Sequence, residues 1–517
     1  MTARWVAAAA ASALMLAGCS LLPGTTSPDP ETPEPPEMSS TPAPDRPEVD
    51  VPDVAPHGFR DAPPGAGVDR YTDQDLAWEP CGEHECADIA VPLDWADPDG
   101  QAITLSMRRV AATQQPRRGT IFLNPGGPGS SGKEMVEYFS HAGLEHYDLI
   151  GWDPRGVGDS TPVRCLDGAE MDEFLTVDAS PDDEAEDAAL EEAARGFGQR
   201  CLERSGPLLA HVSTTATVQD LDLLRGLVGD ERLNYLGYSY GTEIGAVYAA
   251  TFPDRVGRLV LDSAVSLADD SDVTQAEGFE RALESFAEWC AEGDCDLGDD
   301  RDEVIQAVTG LLRHLDHQPL QVHDRELTQT LAVSGILMPL YGTKDWYPIL
   351  ADAVSAARSG RGQALLELAD AYNERDIDGN YGSLMTAFNA IRCNSHVDLG
   401  LAGERARAKK EAEEAGALGP FMGPDLICPL WPAPVVPNPE DQTAPGAAPI
   451  MVIGARMDSA TPYENAVDMA DTFESGFLVT WEGDGHGTYG GTSTCVDDAV
   501  HRFFADDLPA EDIICTE

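Results

Sequence analysis

The chain has 517 residues, an apolar fraction of 42% and a formal net charge of −58 at pH 7. This length allows one large enzyme domain with an insertion, or two to three ordinary domains, and the apolar fraction suffices for a sizeable core. So large an acidic excess argues against nucleic acid and anionic lipid as partners. Salt tolerance and a solvated coat without a specific role are both open interpretations of the acidic surface.

The first 19 residues predict an export signal rather than a part of the fold. Arg4 supplies the positive start, and residues 6–17 form an apolar run that is too short to span a bilayer as a helix. The run ends in LAGC, with the cysteine at Cys19. This motif resembles a bacterial lipobox, which implies cleavage before Cys19 and lipidation of its thiol. A plain secretory signal with a chance cysteine is the alternative.

Residues 20–68 are rich in Pro, Thr, Ser and acidic residues and poor in large apolar side chains. Such a segment buries too little surface to offset its ordering entropy. We therefore expect a disordered tether between a lipid anchor and a folded body that begins at residue 69.

Short β-like runs follow the tether, and the later ones alternate with helical patterns. The predicted strands are Cys86–Pro92, Ala102–Val110, Gly119–Leu123, Tyr147–Trp152, Leu233–Leu236, Arg258–Leu261, Pro449–Ile453 and Gly476–Trp481. The predicted helices are Val218–Val228, Thr242–Phe252 and Val496–Phe504. Early strands joined without helices indicate an antiparallel start, and the later alternation indicates a parallel α/β sheet.

Two helical, acidic stretches interrupt this alternation. Residues 265–442 are rich in Ala and Leu and contain no clear buried strand, which predicts a mainly helical cap inserted into the sheet. The smaller stretch is Cys165–His211. We therefore expect a core made of residues 69–264 and 443–517, with the cap between its two parts.

Ten cysteines remain of the eleven when Cys19 is set aside, and they lie in sequence-adjacent pairs. Sequence alone does not fix connectivity, but five local disulfides are the simplest prediction and suit an oxidising exterior. The predicted pairs are Cys81/Cys86, Cys165/Cys201, Cys290/Cys295, Cys393/Cys428 and Cys495/Cys515. A zinc site is the competing interpretation, and the absence of C-x2-C pairs and of suitably spaced histidines disfavours it. We expect neither a metal nor a cofactor.

Ser239 lies in the pentapeptide GYSYG, which matches the G-x-S-x-G pattern of a nucleophile elbow. This turn holds the serine backbone in a strained conformation and requires very small neighbours, which Gly237 and Gly241 provide. A predicted strand precedes the turn and a predicted helix follows it, so the N–H groups and the positive dipole end of the helix face the serine. These features predict that Ser239 is a nucleophile, and an ordinary structural turn is the alternative.

A serine hydroxyl needs a base to take its proton, and His486 is the predicted base. It lies in the loop GDGHG directly after the predicted strand GFLVTW, and the glycines on both sides let the ring reach Ser239. The other histidine of this region, His501, lies in a helical stretch, where a surface or packing role is more common.

Asp458 is the acid predicted to orient His486. It follows the apolar strand PIMVI, and α/β active sites collect at the carboxyl ends of strands. Asp458 could instead begin the next helix. Asp262, at the end of RLVLD, is the runner-up acid, and Asp222 is less favoured because it lies within a helical pattern.

The oxyanion of a tetrahedral intermediate needs two N–H donors. The first is expected to be Tyr240, the residue after the nucleophile. The second is expected from the loop NPGGPG, residues 124–129, where Gly126 and Gly127 let the backbone approach a substrate closely. We favour Gly127, with Gly126 as the alternative. A phosphate-binding loop is disfavoured because no Lys-Ser/Thr pair ends the motif.

Five motifs in this order carry a family resemblance: NPGGPGSSG, YDLIGWDPRGVGDS, GYSYGT, GARMDSATP and GDGHGTY. Together they resemble the secreted actinobacterial tripeptidyl aminopeptidase branch of the proline iminopeptidase-type α/β-hydrolases, over about residues 78–515. The resemblance implies an α/β-hydrolase fold with a mostly parallel sheet, antiparallel N-terminal strands and an inserted helical cap. It also implies a serine exopeptidase that releases short peptides, often tripeptides, from free N-termini. Ser239, Asp458 and His486 would be the triad, and the WDPRG segment containing Arg155 is expected to be scaffold.

One departure from the family pattern concerns recognition of the substrate's amine. Relatives often carry an acidic residue just after the cap cysteine, a plausible anchor for an ammonium group, whereas this chain has Ser395 there. Glu243, on the first turn after the elbow, could supply charge near the site or merely complement the helix dipole. We favour the dipole interpretation and keep Glu243 and Gly126 as possible substrate-binding residues.

These features together predict an extracytoplasmic serine exopeptidase that acts on peptides and is lipid-anchored to the cell membrane, or secreted. The membrane would be contacted through the lipid on Cys19, and no nucleic-acid partner is expected. An esterase or lipase with the same triad is the nearest rival, because both chemistries pass through an acyl-enzyme. A catalytically silent surface lipoprotein that binds a ligand in the cap cleft is the rival from another class.

Overall fold

The computed structural model describes residue 52 and residues 57–267, 273–293, 295–509 and 511–516. All of these residues belong to one compact unit, residues 46–517. The predicted export signal, Cys19 and most of the tether lie outside the described residues. No helix within the described ranges is long and apolar enough to cross a membrane.

Thirteen strands are present in the described residues, eleven in one sheet and two in a separate hairpin. In chain order they are β1 (Phe59–Arg60), β2 (Glu79–Cys81), β3 (His84–Pro92), β4 (Ala102–Val110), β5 (Gly119–Asn124), β6 (Tyr147–Trp152), β7 (Leu233–Tyr238), β8 (Val256–Asp262), β9 (Leu320–Val322), β10 (Arg325–Leu327), β11 (Ile450–Met457), β12 (Gly476–Asp484) and β13 (Ile513–Cys515). The hairpin is formed by β9 and β10.

Fifteen α-helices accompany these strands in the described residues. They are α1 (Asp69–Thr72), α2 (Gly132–Tyr138), α3 (Gly168–Leu175), α4 (Glu184–Ser205), α5 (Thr214–Leu227), α6 (Tyr240–Thr251), α7 (Gln275–Glu292), α8 (Arg301–His317), α9 (Gln329–Leu340), α10 (Tyr347–Arg358), α11 (Gln363–Tyr372), α12 (Leu384–Ser395), α13 (Gly400–Glu414), α14 (Tyr463–Thr472) and α15 (Thr494–Phe504).

The sheet order is β13-β12-β11-β8-β7-β5-β6-β4-β3-β2, with β1 paired to β4. Every pairing from β6 to β13 is parallel, and β2, β3, β4 and β6 pair antiparallel. The predicted mostly parallel sheet with an antiparallel N-terminal part is thus confirmed. Since β1 pairs with β4 and Phe59 packs on the core, the folded body begins before residue 69.

The central strands are buried on both faces, as parallel strands covered by helices require. Alternate residues of β5 show this, because Ile121 and Leu123 join one apolar core while Phe122 joins the other. The core around Ile121 is closed by α15 through residues such as Phe503. The core around Phe122 is closed by α5 and α6 through residues such as Val247. Because these strands are parallel, their carboxyl ends all lie at one edge of the sheet.

Helices α7 to α13 and the hairpin β9–β10 lie between β8 and β11, in the stretch predicted to form the cap. The hairpin was not predicted, because strands of three residues leave no readable alternation. Helices α3 and α4 occupy the smaller predicted insertion. Because β1 pairs with β4, the predicted start of the core at residue 69 is too late, and the boundaries between core and cap, 264/265 and 442/443, stay proposals.

All five predicted disulfides are formed. The bonded pairs are Cys81–Cys86, Cys165–Cys201, Cys290–Cys295, Cys393–Cys428 and Cys495–Cys515. Each closes a short loop, with sequence separations from 5 to 36 residues. The ten thiols are consequently engaged in sulfur–sulfur bonds.

Candidate active site

Ser239 stands between the end of β7 and the start of α6, on a sharp turn. Its backbone has φ 55° and ψ −125°, a conformation that non-glycine residues rarely adopt and that costs on the order of 1–3 kcal/mol. The Ser239 N–H donates to the carbonyl of Asp262 at 3.0 Å, which fixes the turn to the end of β8. A Cβ at Gly237 would lie 2.5 Å from the carbonyl oxygen of Gly241, so the motif's first glycine is sterically required.

The glycine loop after β5 packs directly on this turn. A Cβ at Gly126, where φ is 96°, would lie 2.4 Å from the Tyr238 carbonyl oxygen and 3.1 Å from the Tyr240 nitrogen. The Gly126 N–H is already engaged, because it donates to Asn124 Oδ1 at 2.9 Å. Within the described residues the Gly127 N–H makes no hydrogen bond, and Tyr240 begins α6, where N–H groups have no intrahelical acceptor. This geometry favours Gly127 over Gly126 as the second donor.

Asp458 and His486 meet at the carboxyl ends of β11 and β12. His486 Nδ1 lies 3.0 Å from Asp458 Oδ1 and 3.1 Å from Oδ2. The backbone N–H of Thr461 donates to Oδ1 at 2.9 Å, and its hydroxyl donates to Oδ2 at 3.0 Å. The backbone N–H of His486 donates to the Tyr341 carbonyl at 2.9 Å, and the Tyr341 ring packs edge-on against the imidazole. The carboxylate and the imidazole are thus each held from two directions.

The electrostatics of the pair suit a carboxylate beside a titrating imidazole. Burial raises the pKa of Asp458, but the charge and hydrogen bond of His486, with those of Thr461, outweigh it and leave this pKa below its ordinary value. Burial lowers the pKa of His486, but Asp458 outweighs it and leaves this pKa raised. An ionised Asp458 therefore favours the imidazolium form of His486.

The His486 ring uses Nδ1 for Asp458 and Thr461. Within the described residues no hydrogen bond joins the ring to the Ser239 hydroxyl. Contacts between a nucleophile and its base are often made fully only in the substrate complex. The other ring nitrogen, Nε2, is the one left for Ser239.

The weaker sequence candidates have other partners. Asp262 accepts backbone N–H groups from the loop after His486 and makes no hydrogen bond to the ring within the described residues. Asp222 pairs with Arg225 and also contacts Arg255. His501 Nε2 lies 3.1 Å from the Tyr489 hydroxyl.

A cavity of about 420 Å³ opens beside Ser239. Its wall includes Gly127, Tyr240, Glu243, Phe388, Arg392 and His396. The lining combines residues of the core with residues of the predicted cap, among them Phe388 and Arg392 of α12. A space of this size accommodates a few amino-acid residues beside the serine.

Among the described residues that line this cavity, Glu243 alone carries a carboxylate. Its side chain is buried, and its Oε1 accepts hydrogen bonds from Asn438 Nδ2 at 2.7 Å and from the Thr214 hydroxyl at 3.0 Å. His396 Nε2 lies 3.2 Å from the same carboxylate. Burial raises the pKa of Glu243, but His396, Asn438 and Thr214 outweigh it, so the pKa is lowered and the group is ionised at neutral pH.

This arrangement bears on the missing acid at position 395. The Ser395 hydroxyl accepts from the Thr214 N–H at 2.9 Å, and the Thr214 hydroxyl in turn donates to Glu243. The carboxylate of Glu243 thus lies one side chain away from the serine that replaces the expected acid. The placement favours charge at the site over the helix-dipole interpretation.

Known proteins resemble this chain over most of its length. Residues 416–515 match the family described as TAP-like protein, and residues 119–298 match that described as alpha/beta hydrolase fold. Serine protease Hip1 of Mycobacterium tuberculosis is 35% identical over 467 residues, 83% of this chain and 88% of that protein. The tripeptidyl aminopeptidase of Streptomyces lividans is 32% identical over 473 residues, 85% of this chain and 86% of the relative.

The chain belongs to the tripeptidyl aminopeptidase family of α/β-hydrolases. It is a serine hydrolase of the peptidase type. Another relative, carboxylesterase B of Mycobacterium tuberculosis, is 32% identical over 451 residues, 83% of this chain and 86% of that protein. The family thus includes a member named for ester cleavage.

The WDPRG segment of this tripeptidyl aminopeptidase family member lies in the interior. The Arg155 side chain has no solvent exposure and makes two hydrogen bonds to Asp220, at 2.7 and 2.6 Å. It also donates to the carbonyls of Leu93 and His211. These contacts agree with a scaffolding role.

Sequence reasoning missed several residues that hold the site. Thr461 stands three positions after Asp458, and a hydroxyl at that spacing in a strand-end loop is a readable signal. Tyr341 and His396 come from the predicted cap, whose helices the sequence does not dock onto the core. The sequence suggests Asp262 only as an alternative triad acid, and its hydrogen bonds to the loop after His486 were not predicted.

Proposed function

We propose that this protein is an extracytoplasmic serine exopeptidase that releases short peptides, tripeptides in particular, from free N-termini through an acyl-enzyme. Ser239 is the nucleophile, His486 the base and Asp458 the acid that orients it. The Asp458–His486 hydrogen bond at the sheet edge that carries the strained Ser239 turn is the observation on which the proposal rests.

In the first step the Ser239 hydroxyl gives its proton to His486 Nε2 while its oxygen bonds to the peptide carbonyl carbon. The oxyanion accepts hydrogen bonds from the Gly127 and Tyr240 N–H groups, each worth roughly 3 kcal/mol of transition-state stabilisation. The imidazolium, stabilised by Asp458, then gives its proton to the leaving amine as the C–N bond breaks. Water deprotonated by His486 finally hydrolyses the ester and frees Ser239.

Selection of a free N-terminus is assigned to Glu243. Its ionised carboxylate lines the cavity one helical turn after Ser239, and His396 Nε2 lies 3.2 Å from it. A substrate ammonium group that enters the cavity would bind the Glu243 carboxylate in place of His396. Burial of the carboxylate strengthens such a charge-assisted hydrogen bond.

An extracytoplasmic location is supported by the five disulfides, which persist in oxidising compartments. The N-terminal export pattern supports it too, and we assign a lipid anchor to the Cys19 thiol. Metabolic labelling with a fatty-acid analogue tests the anchor, because a Cys19→Ser variant should lose the label.

The central test uses Ser239→Ala. We expect this variant to fold with unchanged disulfides, to lose hydrolysis of tripeptidyl chromogenic amides and to lose labelling by a fluorophosphonate probe. Full activity in Ser239→Ala would end the proposal. Failure of the probe to label the parent enzyme would favour the silent binding protein instead.

Amine selection is tested with Glu243→Gln. A charge-assisted hydrogen bond is worth about 1.5–3 kcal/mol, so kcat/KM for free tripeptidyl amides should fall roughly 10- to 150-fold. N-acetylated versions of the same amides should show no comparable loss. Glu404→Gln is the matched control, because Glu404 is equally buried but pairs with Arg407 on the helix α13. An unchanged ratio between free and acetylated substrates in Glu243→Gln would contradict the assignment.

An esterase is the second candidate function, favoured by the carboxylesterase B relative. Short acyl esters and Ala-Ala-Pro-type amides discriminate the two when compared on the same preparation. Amide hydrolysis that requires a free N-terminus selects the exopeptidase. Ester hydrolysis without amide hydrolysis selects the esterase.

A further inference from the structure

Three consecutive backbone N–H groups of the loop that carries His486 converge on the end of β8. Gly487 donates to the Ser263 hydroxyl at 2.7 Å. Thr488 and Tyr489 both donate to Asp262 Oδ2, at 2.9 and 2.7 Å. We refer to Asp262 and Ser263 together as the β8 clamp.

The β8 clamp also touches the other two members of the proposed triad. The Asp262 carbonyl accepts the N–H of Ser239 at 3.0 Å, and the Ser263 hydroxyl helps to lower the pKa of Asp458. Ser263 takes this position with φ 58°, a strained value for a residue with a side chain. Two adjacent residues therefore connect the nucleophile, the acid and the histidine loop.

We propose that Asp262 is a positioning residue whose ionised carboxylate holds the His486 loop in register with Ser239. This inference rests on the proposed function, because it takes His486 as the base. Asp262 is completely buried and has no arginine or lysine partner within the described residues. A buried carboxylate is costly to keep, and hydrophobic residues fill such positions more cheaply when no task requires a charge.

The charged and titratable groups around Asp262 are Asp458, His486, Tyr238 and Tyr489. Burial raises the pKa of Asp262 to about 6, with Asp458 acting in the same direction and the N–H donors and His486 against it. The negative charge on Asp262 also raises the pKa of His486. Protonation of Asp262 thus weakens two loop hydrogen bonds and makes the neighbouring imidazole a weaker base.

The test is the pH profile of Asp262→Asn and Asp262→Ala on a tripeptidyl amide. We expect kcat to fall at least 10-fold in Asp262→Asn and further in Asp262→Ala, with KM changed less than 3-fold. The acid limb of kcat/KM should move to lower pH in Asp262→Asn, because removal of the nearby charge lowers the pKa of His486. A role confined to folding would leave this limb in place.

Asp222→Asn is the matched control, because Asp222 is an acidic residue of the same core that pairs with Arg225 and Arg255 and not with the histidine loop. It should keep the parent kcat and the parent acid limb. A parent-like kcat and limb in Asp262→Asn would overturn the proposal, as would equal losses in the Asp222→Asn control. Should Asp262→Ala not fold, Asp262→Asn decides alone. The Ser239→Ala result stands apart, since it tests the proposed function and not the clamp.

Discussion

Replacement of Asp262 by asparagine should lower kcat and should make the variant progressively more stable relative to the parent as the pH rises from 4 to neutral. The Asp262 side chain is fully buried, and its pKa of about 6 lies well above the ordinary value for aspartate. The ionised form of the Asp262 carboxyl is therefore less favourable in the folded protein than in the unfolded chain. The difference between the two pKa values corresponds to about 3 kcal/mol at pH 7.

The sign of the pH dependence follows from the raised pKa. Well below pH 3.8 the carboxyl is protonated in both the folded and the unfolded chain, so its ionisation has no effect on the free energy of unfolding. As the pH rises through about 6 the folded protein must also ionise Asp262, and the cost becomes complete. The asparagine variant does not ionise there and is spared this cost.

Urea unfolding of the disulfide-intact protein and of Asp262→Asn at several pH values between 4 and 7.5 measures the effect. The stability difference, variant minus parent, should increase by about 2.4 kcal/mol between pH 4 and pH 7.5, whatever its value at pH 4. The amide oxygen of asparagine is a weaker acceptor than a carboxylate for the loop N–H groups, so kcat should fall even though the stability difference grows with pH. A stability difference that stays flat or decreases with pH would refute the reasoning about the buried charge.

Three further substitutions test the scaffold around the site. Arg155→Met leaves the buried Asp220 carboxylate without its partner and should lower the free energy of unfolding in urea by about 3–5 kcal/mol. The kcat per fluorophosphonate-labelled molecule should stay unchanged. A loss of stability below about 1 kcal/mol would contradict this prediction. Gly126→Ala places a methyl 2.4 Å from the Tyr238 carbonyl oxygen. The displaced glycine loop should then lower kcat about 100-fold, and a parent-like kcat would contradict the role of this loop in binding the oxyanion. Joint replacement of Cys393 and Cys428 by serine should cost about 2–5 kcal/mol, seen as a lower thermal midpoint, and an unchanged midpoint would show that the bond is dispensable.

The sheet could be predicted from sequence wherever a strand is long enough to show its pattern. The bounds Ala102–Val110 and Tyr147–Trp152 are reproduced by the structure, because the first alternates apolar and polar residues and the second is largely apolar. The strands Phe59–Arg60 and Ile513–Cys515 were missed, since two or three residues carry no period. Their pairing is decided by the neighbouring strands β4 and β12, which local sequence does not contain.

The site residues that local sequence reveals were likewise predictable, and those whose role depends on distant contacts were not. Ser239, Asp458 and His486 stand in glycine-rich strand ends, where local sequence shows both the turn and the chemistry. The role of Asp262 could not be found in this way, because its partners lie more than 220 positions further along the chain. The surroundings of Glu243 depend on residues from three separate segments, and only the folded arrangement brings them together.

Three contacts link the predicted cap to different parts of the catalytic edge. The Tyr341 carbonyl accepts the His486 N–H, and the Ser383 hydroxyl donates to the Gly129 carbonyl at 2.7 Å. His396 approaches Glu243, the carboxylate assigned to the substrate amine. A lid that only shielded the pocket from water would need none of these bonds. Because the cap contacts the histidine loop, the glycine loop and the carboxylate at once, its position and the alignment of the proposed triad should change together.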